Sequence, residues 1–283
     1  MSFDKKVAFY TKWKHLFKAM LLPAVFYILW DMVFTKQGIW SFNEDYITGI
    51  KLYNLPIEEV LFFFVVPYCC VFIYECVRCY FPSPQNHSTS LLILKLIGII
   101  LLILAIINHE YAYPFFTFFF NGLFIFAILV NQKIKLQFNV TAFLISYLII
   151  LIPFLLVNGL LTAIPVVLYN NNENLGIRLY TIPVEDIFYG MLLIMMNVVG
   201  YERFKIKNHW FILHLGMKKL KRILDIFFLL LGIAITIASI YFFLEYYKEN
   251  NRSMMFKFMC YFFLGLYFSY RGFQKIKTKD QVL

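Results

Sequence analysis

Apolar residues in this chain gather into eight long runs, at residues 16–34, 57–80, 91–108, 112–130, 138–161, 184–201, 223–244 and 254–270. Each is close to the roughly 20 residues that carry a helix across the hydrocarbon core of a bilayer. The runs are apolar on every side, whereas strands of a membrane barrel alternate in polarity over about 10 residues. The pattern therefore predicts an all-α polytopic membrane protein with about eight transmembrane helices. The narrowest break is Asn108-His109-Glu110, between the third and fourth runs.

Composition agrees. Of 283 residues, 61% are hydrophobic and 15% charged, against about 25% charged in a soluble globular domain. The net charge of +10 carries information through its placement. Lys5, Lys6, Lys12, Lys14 and Lys18 precede or open the first span. Lys133 and Lys135 follow the fourth, a basic stretch from Arg203 to Arg222 follows the sixth, and Arg271, Lys275, Lys277 and Lys279 close the chain. With eight spans these all fall on one side. The loops on the other side hold only Lys36, Lys51, Arg178, Lys248 and Arg252. Cytoplasmic loops are the Lys/Arg-rich ones, which predicts both termini in the cytoplasm of a bacterial-type membrane. No A-x-A-like cleavage site follows the first apolar run, so that run is expected to stay as an anchor. The basic stretch with Trp210 and Phe211 reads as an interfacial helix on anionic membrane lipids, not as a nucleic-acid surface.

The chain also resembles itself at one fixed offset, the 127 positions that separate Pro56 from Pro183. Leu52-Tyr53-Asn54-Leu55-Pro56-Ile57-Glu58-Glu59 matches Leu179-Tyr180-Thr181-Ile182-Pro183-Val184-Glu185-Asp186. The same offset pairs Asp31 with Asn158, Thr35 with Thr162, Gly49 with Gly176, Lys51 with Arg178, and Tyr74-Glu75 with Tyr201-Glu202. Matching apolar residues mean little in such a composition, but matched Gly, Pro, Thr and Glu do. The expected organisation is two parallel four-helix repeats, residues 1–130 and 131–283, related by an axis near the membrane normal. Each half would carry a span ending in Asp/Asn-x-x-x-Thr, a loop of about 20 residues, and a Pro-opened span with two acids.

Acids in a first helical turn commonly serve the helix dipole and its free N–H groups. Here they recur in both halves and stand at membrane depth, where ionisable groups are functional candidates. Glu58 and Phe62, and Glu185 and Tyr189, lie four apart on one helical face, placing a ring near each acid. Such a pair could donate a proton and then shelter a cation over a π face; an interfacial aromatic belt is the competing reading of the rings. Asp31 and Thr35 share a face, as do Asn158 and Thr162, and Asp31 is a candidate partner for Glu58 or Glu59. Glu75 and Glu202 fall about 25 Å further along their helices, near the opposite membrane face, and read as interfacial anchors.

Nucleotide, flavin, zinc-protease and serine-hydrolase motifs are missing, as is an Asp-rich diphosphate motif. The five histidines are scattered, and Cys76-x-x-Cys79 stands alone, so no metal site is expected and the cysteines read as packing residues.

The stretches Trp30-Asp31…Thr35…Gly38-Ile39-Trp40…Gly49…Asn54-Leu55-Pro56-Ile57-Glu58-Glu59-Val60-Leu61-Phe62-Phe63 and Asn158-Gly159…Leu161-Thr162…Pro165-Val166-Val167-Leu168-Tyr169…Gly176-Ile177-Arg178…Thr181-Ile182-Pro183-Val184-Glu185-Asp186-Ile187-Phe188-Tyr189 resemble the flavin-free membrane lycopene cyclases, in the form that fuses the two halves of a heterodimeric enzyme. The resemblance implies an isomerase that closes the ends of lycopene to β-ionone rings, through γ-carotene to β-carotene, with no cofactor. It implies lycopene as a lipid-soluble substrate and other enzymes of carotenoid synthesis as partners. Glu58, Glu59, Glu185 and Asp186 would be the catalytic acids and bases, with Asp31, Thr35, Phe62, Asn158, Thr162 and Tyr189 in support. The competing expectations are a proton-coupled transporter, which would carry its acids deep within the spans, and a carotenoid-binding protein without catalysis.

Overall fold

A computed structural model of the protein describes residues 4–81 and 87–205, with six isolated positions between 236 and 269. The chain forms two units, residues 1–209 and 210–283. In the second unit the described positions Thr236 and Tyr261 are helical. Apart from those six positions, the expected seventh and eighth spans, and most of the basic stretch 203–222, lie outside the described residues. Everything that follows concerns the first unit.

A 3-10 turn, Phe9–Lys12, leads into α1 (Trp13–Lys36). The chain then forms β1 (Trp40–Phe42), the hairpin of β2 (Lys51–Leu52) and β3 (Leu55–Pro56), and α2 (Ile57–Tyr80). After α3 (Ser88–Ile107), α4 (Ala112–Val130) and the short α5 (Gln132–Gln137) come α6 (Val140–Ala163), β4 (Val167–Tyr169), the hairpin of β5 (Arg178–Leu179) and β6 (Ile182–Pro183), and α7 (Val184–Lys205). Six of the helical segments are long and apolar enough to cross a membrane. They match the first six expected spans, including the break at Asn108-His109-Glu110. Leu22 on α1, Leu148 and Leu156 on α6 and Ile106 on α3 are broadly exposed, as side chains facing lipid rather than protein would be.

Close backbone approach holds α3 against α4. A Cβ on Gly122 would meet Leu102 at 2.6 Å, and one on Gly98 would meet Ile125 at 2.8 Å. Small residues at a crossing substitute backbone contact for the hydrophobic effect that lipid does not supply. Helix α1 packs on α7, α2 on α6, and α4 on α7.

The six strands were not expected; both long loops are built rather than irregular. Each holds a tight hairpin whose turn places Tyr53, or Tyr180, in the left-handed region, at φ 60° and 59°. Other local bonds recur at the offset that relates the two halves. Ile57 N–H donates to Ile50 O at 2.9 Å and Val184 N–H to Ile177 O at 3.0 Å. The Asn54 amide donates to Met32 O at 2.8 Å and the Thr181 hydroxyl to Gly159 O at 3.3 Å. Strands β1 and β4, themselves counterparts at that offset, pair antiparallel with Ser41 opposite Leu168. Pro56 and Pro183 end the hairpins, one residue earlier than expected, so the helices open at Ile57 and Val184. Assignment of a helix end commonly shifts by that much.

At the opposite end of the bundle Glu75 and Glu202 are buried, not interfacial anchors. Each takes its cation from the other hairpin-opened helix. Lys205 of α7 reaches Glu75 of α2 at 2.6 Å, Arg78 of α2 pairs with Glu202 of α7, and Lys12 adds a contact to Glu75 at 2.5 Å. Arg78 and Lys205 are again counterparts in the two halves. Buried carboxylates require such partners, because an uncompensated charge away from water costs several kcal/mol.

Candidate active site

Near the other end, α1 is about to finish while α2 and α7 begin. Asp31, in the last turns of α1, and Glu59 and Asp186, each third in its helix, line one cavity of about 310 Å³. Two consecutive helical residues point about 100° apart, so only one acid of each pair can face inward. In both pairs it is the second.

The first acids do something else. Glu58 accepts the Thr48 N–H at 2.8 Å, and Glu185 accepts the Leu175 N–H at 2.7 Å. Each thereby ties the preceding loop to the first turn of its helix. Glu58 is exposed, Glu185 is buried, and neither lines the cavity.

Tyrosines hold two of the three inward carboxyls. Tyr113 donates to Oδ1 of Asp186 at 2.5 Å and Tyr169 to Oδ2 at 2.7 Å. Tyr189 donates to Asp31. Glu59 also lines the cavity, and it has no hydrogen bond or ion pair among the described residues. Tyr113 is set by the second long loop: Glu173 accepts the Ala112 N–H through its carboxylate at 3.3 Å and the Tyr113 N–H through its carbonyl at 3.1 Å. Tyr169 is set by β4, whose pairing places it opposite Trp40. Burial pushes the Tyr169 phenol well above the ordinary tyrosine range, with the Asp186 charge adding to it, so it remains a donor.

The expected support residues separate into two groups. Phe62 and Tyr189 line the cavity, each three positions beyond an inward acid, rather than forming an interfacial belt. Tyr189 serves Asp31 on another helix, not Glu185 on its own. Asn158 and Thr162 also line the cavity, and the Thr162 hydroxyl is taken up by the Asn158 carbonyl at 2.8 Å and the Thr181 hydroxyl at 2.5 Å. Thr35 does not reach it, and its buried hydroxyl has no partner among the described residues. Trp40, Tyr113 and Tyr169 belong to the site and were missed. Trp40 and Tyr169 stand in the loops after α1 and α6, inside the stretches that carry the family resemblance, but no helical spacing ties them to an acid. Tyr113 opens a span that carries no acid pair.

Away from the acids the cavity continues between α2 and α6. Val66, Cys69 and Ile73 of α2 and Ile150, Pro153 and Val157 of α6 line it there, with Leu193 and Ile194 of α7 beside them, a largely apolar wall. Among the described residues no group of three or more His, Cys, Asp or Glu is arranged to hold a metal ion.

A membrane helix bundle with three carboxyls and their tyrosines at the head of an apolar cavity is thus the class that fold and site define. The chain belongs to the lycopene cyclase family: the model of that family, described as lycopene cyclase, matches residues 1–77 and 110–204, a range that contains every carboxyl and tyrosine of the site. Among curated proteins it is 29% identical over 94 residues to a bifunctional lycopene cyclase/phytoene synthase of Aspergillus oryzae, covering 33% of this chain and 16% of that one. It is 30% identical over 109 residues to the protein so named from Arthroderma gypseum, covering 38% of this chain and 17% of the relative. The alignments thus span less than a fifth of those relatives. No solved structure matches the chain.

Proposed function

We propose that this protein is a lycopene β-cyclase, an isomerase that closes the ψ ends of lycopene through γ-carotene to β-carotene. The observation that carries the reading is the meeting of Glu59 and Asp186, one acid from each half, in one apolar cavity. The reaction needs a proton delivered to a terminal alkene. The neighbouring alkene then attacks the resulting cation, and a base removes a ring proton, so no atoms or electrons are gained. Glu59, free of donors, delivers the proton. Asp186 accepts hydrogen bonds on both oxygens, the pattern of a carboxylate, and takes the ring proton back. Tyr189 holds the Asp31 carboxyl beside them, and the rings of Phe62, Trp40 and Tyr189 offer π faces to the cation between the two steps.

A proton-coupled carrier would need polar groups leading onward from the acids. The hydrocarbon wall between α2 and α6 suits a polyene instead. In this reading the chain is two fused repeats, residues 1–130 and 131–283, each of four spans, and the recurring hydrogen bonds support it. The basic ends of the helices then lie in the cytoplasm, and the acid site lies toward the other face of the membrane.

The test is expression in a host that accumulates lycopene, with pigments separated by chromatography. The wild-type chain should give cyclised carotenes. Glu59→Gln and Asp186→Asn should each lower conversion by about a hundredfold or more. Wild-type product levels from both variants would sink the assignment.

A further inference from the structure

Two helix interfaces flank the acid site, and they are counterparts in the two halves of the sequence: α1 against α7, and α6 against α2. One is filled and the other hollow. On α1, Phe26, Tyr27, Trp30 and Phe34 face inward at the positions that on α6 are Pro153, Phe154, Val157 and Leu161. All four α6 residues line the cavity and none of the α1 residues does. Trp30 is the wedge. Its ring lies 5.4 Å from Tyr189, 5.2 Å from Phe120 and 5.6 Å from Tyr27 between ring centres. Further along, Gly200 lets α7 close on α1, where an added Cβ would stand 3.2 Å from the Cβ of Ala19. Its counterpart on α2 is Ile73, which lines the cavity.

We propose that the substrate-binding site has a single arm, between α2 and α6, that the matching arm between α1 and α7 is plugged by Trp30, and that the protein therefore accepts one end of a linear isoprenoid polyene at a time. After one end has reacted, the molecule must leave the arm, turn round and enter again with the other end. The arm is continuous with Glu59 and Asp186, so what occupies it is the chain of the molecule whose end they meet. The inference rests on the cyclase reading, but it fails separately from it.

The test uses the full chain in membranes. Deuterated lycopene is supplied first, and unlabelled γ-carotene is added part-way. A single arm releases its monocyclic intermediate, so label in β-carotene should be diluted by the added pool; a protein that releases labelled γ-carotene and makes no β-carotene supports the single arm as well. Val157→Trp should plug the remaining arm, lowering lycopene consumption about tenfold or more and taking both carotenes down together. Leu156→Trp, on the exposed face of the same helix turn, checks that a tryptophan there is tolerated and should convert lycopene as wild type does. Undiluted label in β-carotene overturns the inference, as does a Val157→Trp protein that still makes γ-carotene at the wild-type rate. A wild-type chain that leaves lycopene uncyclised overturns the cyclase reading itself.

Discussion

Tyr169 reaches from the short strand β4 to donate its hydroxyl to Oδ2 of Asp186, in the first turn of α7, at 2.7 Å. Together with Tyr113 it leaves Asp186 no free direction for disorder. A hydrogen bond to a charged group contributes about 1.5–3 kcal/mol. Tyr169→Phe and Tyr113→Phe should therefore each slow cyclisation by about tenfold to a hundredfold while the protein still inserts. Conversion rates in membranes, normalised to the amount of protein, read this directly. Unchanged rates in both would remove the tyrosines from the site's machinery.

Glu58 and Glu185 should behave unlike their neighbours. A glutamine oxygen can still accept the Thr48 or Leu175 N–H. Glu58→Gln and Glu185→Gln are expected to remain within a few-fold of wild type, whereas Glu185→Ala, which leaves a loop N–H without its acceptor, should lower thermal stability by about 1–3 kcal/mol. Melting in detergent and pigment yield separate the two effects. Loss of conversion in Glu58→Gln comparable to that in Glu59→Gln would contradict the assignment of the inward acid.

The crossed ion pairs at the far end of the bundle predict a rescue. Arg78→Glu sets a third acid beside Glu75 and Glu202 and should cost about 3–5 kcal/mol. Adding Glu202→Arg restores one opposite-sign contact between the same helices and should recover part of the loss. A double-mutant cycle on melting temperature measures the coupling. Strict additivity would show that the Arg78–Glu202 contact contributes nothing.

At the α1–α7 crossing, Gly200→Leu should destabilise by about 1–3 kcal/mol, because the added atoms meet Ala19 in a filled interface. At Gly49 or Gly176 an added Cβ meets nothing within 4 Å, and a leucine there forces an L side chain to φ 81° or 69°. There the cost should be nearer to about 1 kcal/mol and purely conformational. Melting in detergent ranks the three variants.

Helix periodicity, Pro positions and the internal repeat announced six of the described helices, the acid pairs and their placement at span ends. They could do so because the bilayer makes each span a local decision: a run of about 20 apolar residues must satisfy its backbone within itself. The short hairpins before α2 and α7 escaped, since two-residue strands carry no period. The choice between Glu58 and Glu59, or between Glu185 and Asp186, is not local. Adjacent residues on a helix differ by about 100° in direction, and which one meets the cavity depends on where α1, α6 and the loops pack. Tyr113 is committed to Asp186 by a loop distant in sequence, through Glu173. Likewise, the repeat made the two helix interfaces formally alike, and only packing distinguishes them. Four aromatic rings close one, and Pro153, Phe154, Val157 and Leu161, with a single aromatic ring among them, leave the other hollow. Side-chain volume summed across facing helices decides where a cavity survives, and that sum exists only once the helices have met.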